Sequence, residues 1–223
     1  MSNALTLVIG NKNYSSWSLR PWLFLRQFGV AFDEVRLPLD TPEFHTGIAH
    51  WSPTGRVPVL HHDGLVIWDS LAICEYVNET FLDGRAWPQS RGVRAHARSA
   101  AAEMHSGFAS LRTQLPMNCR RRPDDYRWDS DAQRDIDRVQ QLWGDMRAKG
   151  GGAGNFLCGE FGLVDAMFAP VAVRFRAYGV ECEPVSAAYR DALLSLPGFR
   201  EWDAAAESEA ERIGKYEAIV RSP

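Results

Sequence analysis

Hydroxyl groups gather where a short apolar strand, Thr6-Leu7-Val8-Ile9-Gly10, hands over to Asn13-Tyr14-Ser15-Ser16-Trp17-Ser18-Leu19-Arg20 and the start of a helical pattern. A helix start carries unpaired backbone N–H groups and the positive end of the helix dipole. Hydroxyls placed there suit an anion, and in particular a thiolate, because an O–H can donate a hydrogen bond to sulfur. The same serines also read as ordinary N-caps. The thiolate reading therefore depends on whether other segments supply a place for a thiol.

Two segments downstream bear on this. In Arg56-Val57-Pro58-Val59 a proline stands at the first position of a strand, where a missing ladder donor is tolerated. A cis bond at that point would turn the chain and present the Val57 backbone N–H and C=O to a ligand. In Trp68-Asp69-Ser70-Leu71 an acid and a hydroxyl meet the start of another helix. They read either as a cap and first-turn pair, or as a site for an amino acid head group. In the second reading the Ser70 N–H and hydroxyl hold a carboxylate while Asp69 faces an ammonium.

The elements that must position these residues fall into two kinds. Leu19 to Phe28 has helical spacing and is stopped by Gly29, and Phe32 to Leu39 reads as a second short strand ended at Asp40-Thr41-Pro42. Val57 to Leu60 and Leu65 to Trp68 flank Asp63-Gly64, a strong hairpin signal, and Ser70 to Phe81 is a helix. The order β-α-β, then a loop with room for a short helix, then β-β-α, predicts a mixed sheet covered by helices. Leu82 to Arg91 reads as a linker, and beyond it only helices are predicted. These are a long amphipathic one over Val93–Leu115, then Asp131–Lys149, an apolar Val164–Tyr178 that should be central, and shorter ones at Ser186–Leu196 and Gly198–Ile213. The division is thus 1–82, a linker at 83–92, and 93–223. Gly150-Gly151-Gly152-Ala153-Gly154 reads as a loop and not a phosphate cradle, since no strand precedes it and no Lys-Ser/Thr follows.

The 223 residues are 45% hydrophobic and 24% charged, ordinary for a soluble globular chain, with eight tryptophans and eleven phenylalanines to fill cores or line a pocket. A net charge of −3 argues against a nucleic-acid binder, and Arg120-Arg121-Arg122, followed by Pro123-Asp124-Asp125, reads as a solvated loop. Cys74, Cys119, Cys158 and Cys182 show no metal-ligand spacing, so no metal is expected; they read as reduced, mostly buried thiols of a cytoplasmic protein. No apolar run is long enough to span a membrane, and the N-terminus lacks a signal-peptide pattern.

Taken together, Ser15-Ser16-Trp17-Ser18-Leu19-Arg20, Val57-Pro58, Asp69-Ser70-Leu71-Ala72-Ile73 and the all-helical second half resemble the cytosolic glutathione S-transferases. The similarity is greatest to bacterial serine-type members related to the zeta class. The resemblance implies a thioredoxin-like N-terminal domain, a helical-bundle C-terminal domain that contributes the electrophile pocket, and a homodimer with a role in detoxification. By the same resemblance glutathione is the co-substrate. Ser15 donates to its sulfur with Ser16 as the reserve hydroxyl, and Trp17 is an adjacent contact. Val57 pairs with the cysteinyl part beside a cis Pro58, and Asp69 and Ser70 take the γ-glutamyl end. Arg56 stands where relatives place Gln or Lys and is carried over as a glutathione contact. Tyr14, His105, Phe108 and Arg112 are candidates for the electrophile pocket; for His105 and Arg112, packing between the domains is the alternative. Asp165, with Gly162 in place of the usual hydroxyl residue, matches the capping box that starts the central helix and is read as structural. Trp17 replaces the cysteine of the zeta isomerases. Transfer to a small apolar electrophile is therefore the leading reading. A maleylacetoacetate-type isomerase and a non-catalytic glutathione- or protein-binding member are the alternatives.

Overall fold

The computed structural model describes residues 5–150 and 154–217. The first part is a four-stranded sheet in the order β2-β1-β3-β4. Strand β1 (Thr6–Ile9) pairs in parallel with β2 (Asp33–Arg36) and antiparallel with β3 (Val59–His62), which pairs antiparallel with β4 (Leu65–Trp68). The β3–β4 turn has Asp63 at φ 47° and Gly64 at φ 80°, the positive pair that a two-residue hairpin requires. Helix α1 (Ser16–Gln27) starts earlier than the apolar periodicity alone suggests, because Ser15 caps it. Helix α2 (Pro42–Trp51), capped by Thr41, fills the loop left open for a short helix, and α3 (Ser70–Phe81) packs on α1. Strand β2 is shorter than the expected Phe32–Leu39 and mostly exposed, which suits the edge of a sheet.

The second part is helical. It comprises α4 (Arg91–Ser106), α5 (Ala109–Gln114), α6 (Ser130–Gly150), α7 (Leu163–Tyr178), α8 (Pro184–Ser195), α9 (Pro197–Ser208) and α10 (Gly214–Glu217). The single long helix expected over Val93–Leu115 is broken. Gly107 is extended (φ −104°, ψ −165°) and Phe108 is left-handed (φ 61°, ψ 45°). Arg112 stabilises the break by donating Nε to the Gly107 carbonyl and Nη2 to the carbonyls of Met104 and His105, groups that a continuous helix would satisfy itself. The apolar spacing runs through the break because Met104, Phe108 and Leu111 all enter one core.

Helix α7 is the centre of the molecule, buried along nearly its whole length against α1, α3, α4 and α8. Its start is held by Asp165, whose carboxylate accepts from Leu157 N (3.1 Å), Gly162 N (2.8 Å) and the Tyr189 hydroxyl (2.9 Å). The Leu163 N–H donates to the Ala86 carbonyl in the linker (3.0 Å). A Cβ on Gly162 would lie 2.8 Å from that same carbonyl oxygen, which explains why a hydroxyl residue is absent there.

The C-terminal stretch also departs from expectation. The helix predicted to reach Ile213 ends at Ser208, and the chain then crosses the β1–α1 corner. The Glu209 carboxylate accepts from Lys12 N (2.6 Å) and Asn13 N (3.1 Å). Arg120 is not a solvated loop residue. It donates to the carbonyls of Glu209 (2.6 Å) and Glu211 (2.9 Å) and to the Tyr14 hydroxyl (2.8 Å), because the terminal segment offers carbonyls that no helix uses. Arg121 pairs with Asp124 (2.8 Å), and Arg122 with Glu207 (2.5 Å). Of the glycine-rich loop, residues 151–153 lie outside the described residues.

Candidate functional site

The β1–α1 corner is built by a relay of hydrogen bonds. Asn11 O accepts from Ser15 N (2.8 Å), and Ser15 Oγ caps α1 by accepting from Ser18 N (3.4 Å). Ser15 Oγ lies 2.7 Å from Ser18 Oγ, which in turn accepts from Gly10 N (3.2 Å). A hydroxyl hydrogen rotates to suit its partners. Ser15 is the donor in that pair; when an anion in the cleft draws its hydrogen outward, Ser18 turns to donate to Ser15, and the chain Gly10 N–H to Ser18 to Ser15 then polarises the outermost hydroxyl. Ser18 is a further site residue, and its spacing of one helical turn from Ser15 is its signal in the sequence. Ser16 Oγ accepts from Arg174 Nη2 at 3.5 Å, a contact reaching across from α7.

Tyr14 is occupied elsewhere. Its hydroxyl donates to Glu217 Oε1 and accepts from Arg120 Nη2 (2.8 Å) and Ile213 N (3.3 Å), while its ring stacks on Tyr216 at 5.5 Å. Burial and the Glu217 carboxylate push its pKa up, so it is a poor source of a proton or of a stabilising donor for sulfur. Tyr14→Phe is therefore expected to cost about 1–2 kcal/mol of stability in urea unfolding through the lost hydrogen bonds. It should leave the pKa of a bound thiol where it was, as measured by thiolate absorbance.

A second group of residues surrounds the start of α3. The Val57–Pro58 bond is cis and leads into β3. Asp69 caps α3 in a strained positive-φ conformation (φ 76°), with Oδ1 accepting from Leu71 N (2.9 Å) and Ala72 N (3.4 Å). Its other oxygen, Oδ2, lies 3.1 Å from His105 Nε2. Burial lowers the pKa of His105, and the Arg20 and Arg112 charges lower it further against the opposing pull of Asp69, so His105 faces Asp69 as a neutral donor. Ser70 is buried and its hydroxyl accepts from Arg20 Nη1 (3.4 Å). Trp17, 36% exposed, is clasped between the Arg20 guanidinium (4.3 Å from the ring centroid) and that of Arg112 (4.9 Å), with His105 edge-on at 5.3 Å.

Two clefts of about 380 Å³ each result, and they share Trp17, Arg56 and Val57 as a common wall. One contains Pro58, Trp68, Asp69 and Ser70; the other contains Tyr14, Ser15, Ser16, Arg112, Met117, Arg174 and Tyr216. Every residue named as a glutathione contact lines one cleft or both. Of the electrophile-pocket candidates, Tyr14 and Arg112 line the serine-bearing cleft. Neither His105 nor Phe108 lines either of these two clefts: His105 reaches the site through Asp69 and Trp17, and Phe108 is buried in the core. Arg174 is a further cleft residue; a cation more than a turn inside so apolar a helix, ahead of Arg176 in its last turn, is its signal in the sequence. The protein's own thiols do not serve the site. All four are free, and burial raises the pKa of Cys74 and Cys119 strongly, that of Cys158 to about 12, and that of Cys182. Among the described residues no group of three or more His, Cys, Asp and Glu side chains could hold a metal, and no helix is long and apolar enough to cross a membrane.

Comparison with known proteins points the same way. The family described as "Glutathione S-transferase, N-terminal domain" matches residues 14–80. A probable maleylacetoacetate isomerase of Caenorhabditis elegans is 34% identical over 96 residues, covering 43% of this chain and 44% of that protein. Glutathione S-transferase 1 of Dianthus caryophyllus is 34% identical over 106 residues, covering 46% of each chain. The chain thus spans less than half the length of the curated relatives it matches. Over nearly the whole chain the fold is that of solved glutathione transferases. A homologue from Burkholderia GL BGR1 with bound glutathione has a TM-score of 0.70 at 22% identity, covering 92% of this chain and all of that one. An unclassified transferase from Bombyx mori has a TM-score of 0.72 at 16% identity, covering 97% of both. Residues 14–80 thus match the family's N-terminal domain, and the sheet order and helical second half give the chain the fold of the solved glutathione transferases.

Proposed function

We propose that the protein activates the thiol of glutathione for attack on a small electrophile. The observation that carries the reading is the pair of clefts joined along Trp17, Arg56 and Val57, with Asp69 and Ser70 in one and Ser15 and Ser16 in the other. A tripeptide laid along that wall places its γ-glutamyl head at the start of α3, its cysteinyl backbone at Val57 and its sulfur toward the serines. Residues 1–82 then bind glutathione, residues 93–223 supply the second substrate's pocket, and a cytoplasmic homodimer is the expected form.

The energetics suit that role. A free thiol has a pKa of about 8.5 and is mostly protonated at neutral pH. A hydrogen bond to a charged partner contributes roughly 1.5–3 kcal/mol, and the dipole of α1 roughly 0.3–1 kcal/mol more. At about 1.36 kcal/mol per pKa unit, these lower the bound thiol by roughly one to three units, to neutrality or below, and make thiolate a major species near pH 7. The serine stabilises the anion and does not itself ionise.

The test is titration of glutathione into the protein with thiolate absorbance followed against pH. A bound thiol titrating well below its free value supports the reading, and an absence of binding removes it. The likeness to the C. elegans protein favours a second reading, glutathione-dependent isomerisation. Turnover of a cis-diketo acid with no net loss of glutathione would promote it.

A further inference from the structure

His105 lines neither of the two clefts, yet its ring touches the wall they share and the acid of one of them. Its Nε2 lies 3.1 Å from Asp69 Oδ2, within reach of a hydrogen bond, and its ring meets Trp17 edge-on at 5.3 Å. Asp69 has one oxygen already committed. Oδ1 accepts from Leu71 N (2.9 Å) and Ala72 N (3.4 Å) at the start of α3, so Oδ2 is the oxygen left to meet an ammonium. A carboxylate oxygen has two lone pairs, and Oδ2 can therefore accept from His105 and from a ligand together.

The histidine reaches Asp69 because α4 stops where it does. His105 is the last residue but one of α4, and its carbonyl accepts from Arg112 Nη2 (3.4 Å) at the break before α5. The same guanidinium lies 4.9 Å from the Trp17 ring centroid. The break, the indole and the Asp69 contact thus form one packed unit.

The tautomer follows from the surroundings. A carboxylate beside Nε2 favours the proton there and leaves Nδ1 as the acceptor. That Nδ1 is buried and has no hydrogen-bond partner. A second proton on it would be a buried donor with nothing to receive it, in the field of Arg20 on α1 and Arg112 on α5, which with Asp69 are the charged groups facing the ring. His105 therefore stays neutral. It can orient Asp69 without cancelling the negative charge that an ammonium needs, which a lysine or arginine in its place would cancel.

We propose that His105 is a positioning residue for the amino group of glutathione: its neutral Nε2–H holds the Asp69 carboxylate with Oδ2 turned to the cleft, and so sets a preference for a thiol peptide that carries a free γ-glutamyl ammonium. This rests on the glutathione reading above, and it gives His105 a different task from the electrophile pocket expected of it.

The probes are glutathione and glutaryl-cysteinylglycine, which is glutathione without its α-amino group, titrated calorimetrically at neutral pH. The native protein is expected to bind glutathione about tenfold more tightly than the analogue, the size of one hydrogen bond to a charged group. His105→Phe keeps a ring beside Trp17 but no donor, and is expected to bring that ratio to about threefold or less. His105→Gln, whose amide nitrogen can take the place of Nε2, is expected to restore most of it. A merely structural histidine would lower both affinities alike and leave the ratio where it was. Asp69→Asn should by itself abolish the preference, and adding His105→Phe to it should change the ratio no further. If His105→Phe does not fold, His105→Ala is read in its place. An undiminished ratio in the folded variant overturns the positioning role, as does an equal loss in His105→Gln. Glutathione binding with no preference for the amine also overturns it and leaves the glutathione reading standing, whereas failure of both peptides to bind overturns that reading itself.

Discussion

Replacing Ser15 with alanine is expected to raise the pKa of bound glutathione's thiol by about one to two units and to lower kcat/KM at neutral pH by roughly ten- to a hundredfold. The size follows from the geometry of the corner. Ser15 Oγ accepts from Ser18 N and donates to the Ser18 hydroxyl 2.7 Å away; turning that hydrogen to a bound thiolate, with Ser18 then donating to Ser15, keeps both hydroxyls partnered and makes Ser15 the donor to sulfur. Alanine removes the donor and also the cap, which costs a further 1 kcal/mol or so of helix stability. Two comparisons separate these effects. Ser16→Ala removes a hydroxyl that caps nothing and should move the thiol pKa by less than half as much. Ser18→Ala leaves Ser15 in place but breaks the relay from Gly10, and should raise the thiol pKa by a fraction of a unit. Absorbance titration of the bound thiolate in the three variants reads all of this directly. A larger shift in Ser16→Ala than in Ser15→Ala would move the role of sulfur donor to the hydroxyl that Arg174 contacts.

What the sequence discloses and what it hides divide along a physical line. Asp63-Gly64 declared its hairpin because both turn residues needed positive φ, and they have it. Val57-Pro58 and Asp69-Ser70 were legible because a proline at a strand start and an acid at a helix start each have few compatible backbone settings. The break at Gly107–Phe108 was not, since hydrophobic periodicity reports which face is buried and not whether the backbone is continuous, and both segments bury the same face. What stabilises the break is Arg112 folding back on carbonyls behind it, a contact that a propensity scale cannot contain. The contacts of Arg20 and Arg174 were hidden for a related reason. Arg20 is 50 residues from Ser70, and Arg174 is 158 residues from Ser16. Only the packing of α7 on α1 brings that second pair together.

Asp165→Ala is expected to lower stability by about 3 kcal/mol at pH 7, and by more in acid. The carboxylate serves three buried donors at once, Leu157 N, Gly162 N and the Tyr189 hydroxyl, and alanine would leave all of them unsatisfied at roughly 1–3 kcal/mol each. Against this stands the cost of burying the charge. Burial raises the pKa of Asp165 to about 6 from an ordinary 3.8, and the hydrogen bonds only partly oppose the rise. A folded value above the unfolded one means that the native state binds this proton more tightly. The resulting stabilisation is complete below about pH 4 and is lost as pH rises through about 6. The gap between native protein and variant in urea unfolding should therefore widen as pH falls, by roughly 1 kcal/mol between pH 7 and pH 5. A gap independent of pH would mean that Asp165 titrates as an ordinary surface carboxylate and that the start of α7 is held by other groups. Variant protein that does fold should retain the lowered thiol pKa of bound glutathione, because Asp165 touches neither cleft and acts only by fixing where α7 begins. Loss of thiolate formation in folded Asp165→Ala would instead mean that the placement of α7, and with it the Arg174–Ser16 contact, governs activation of the sulfur.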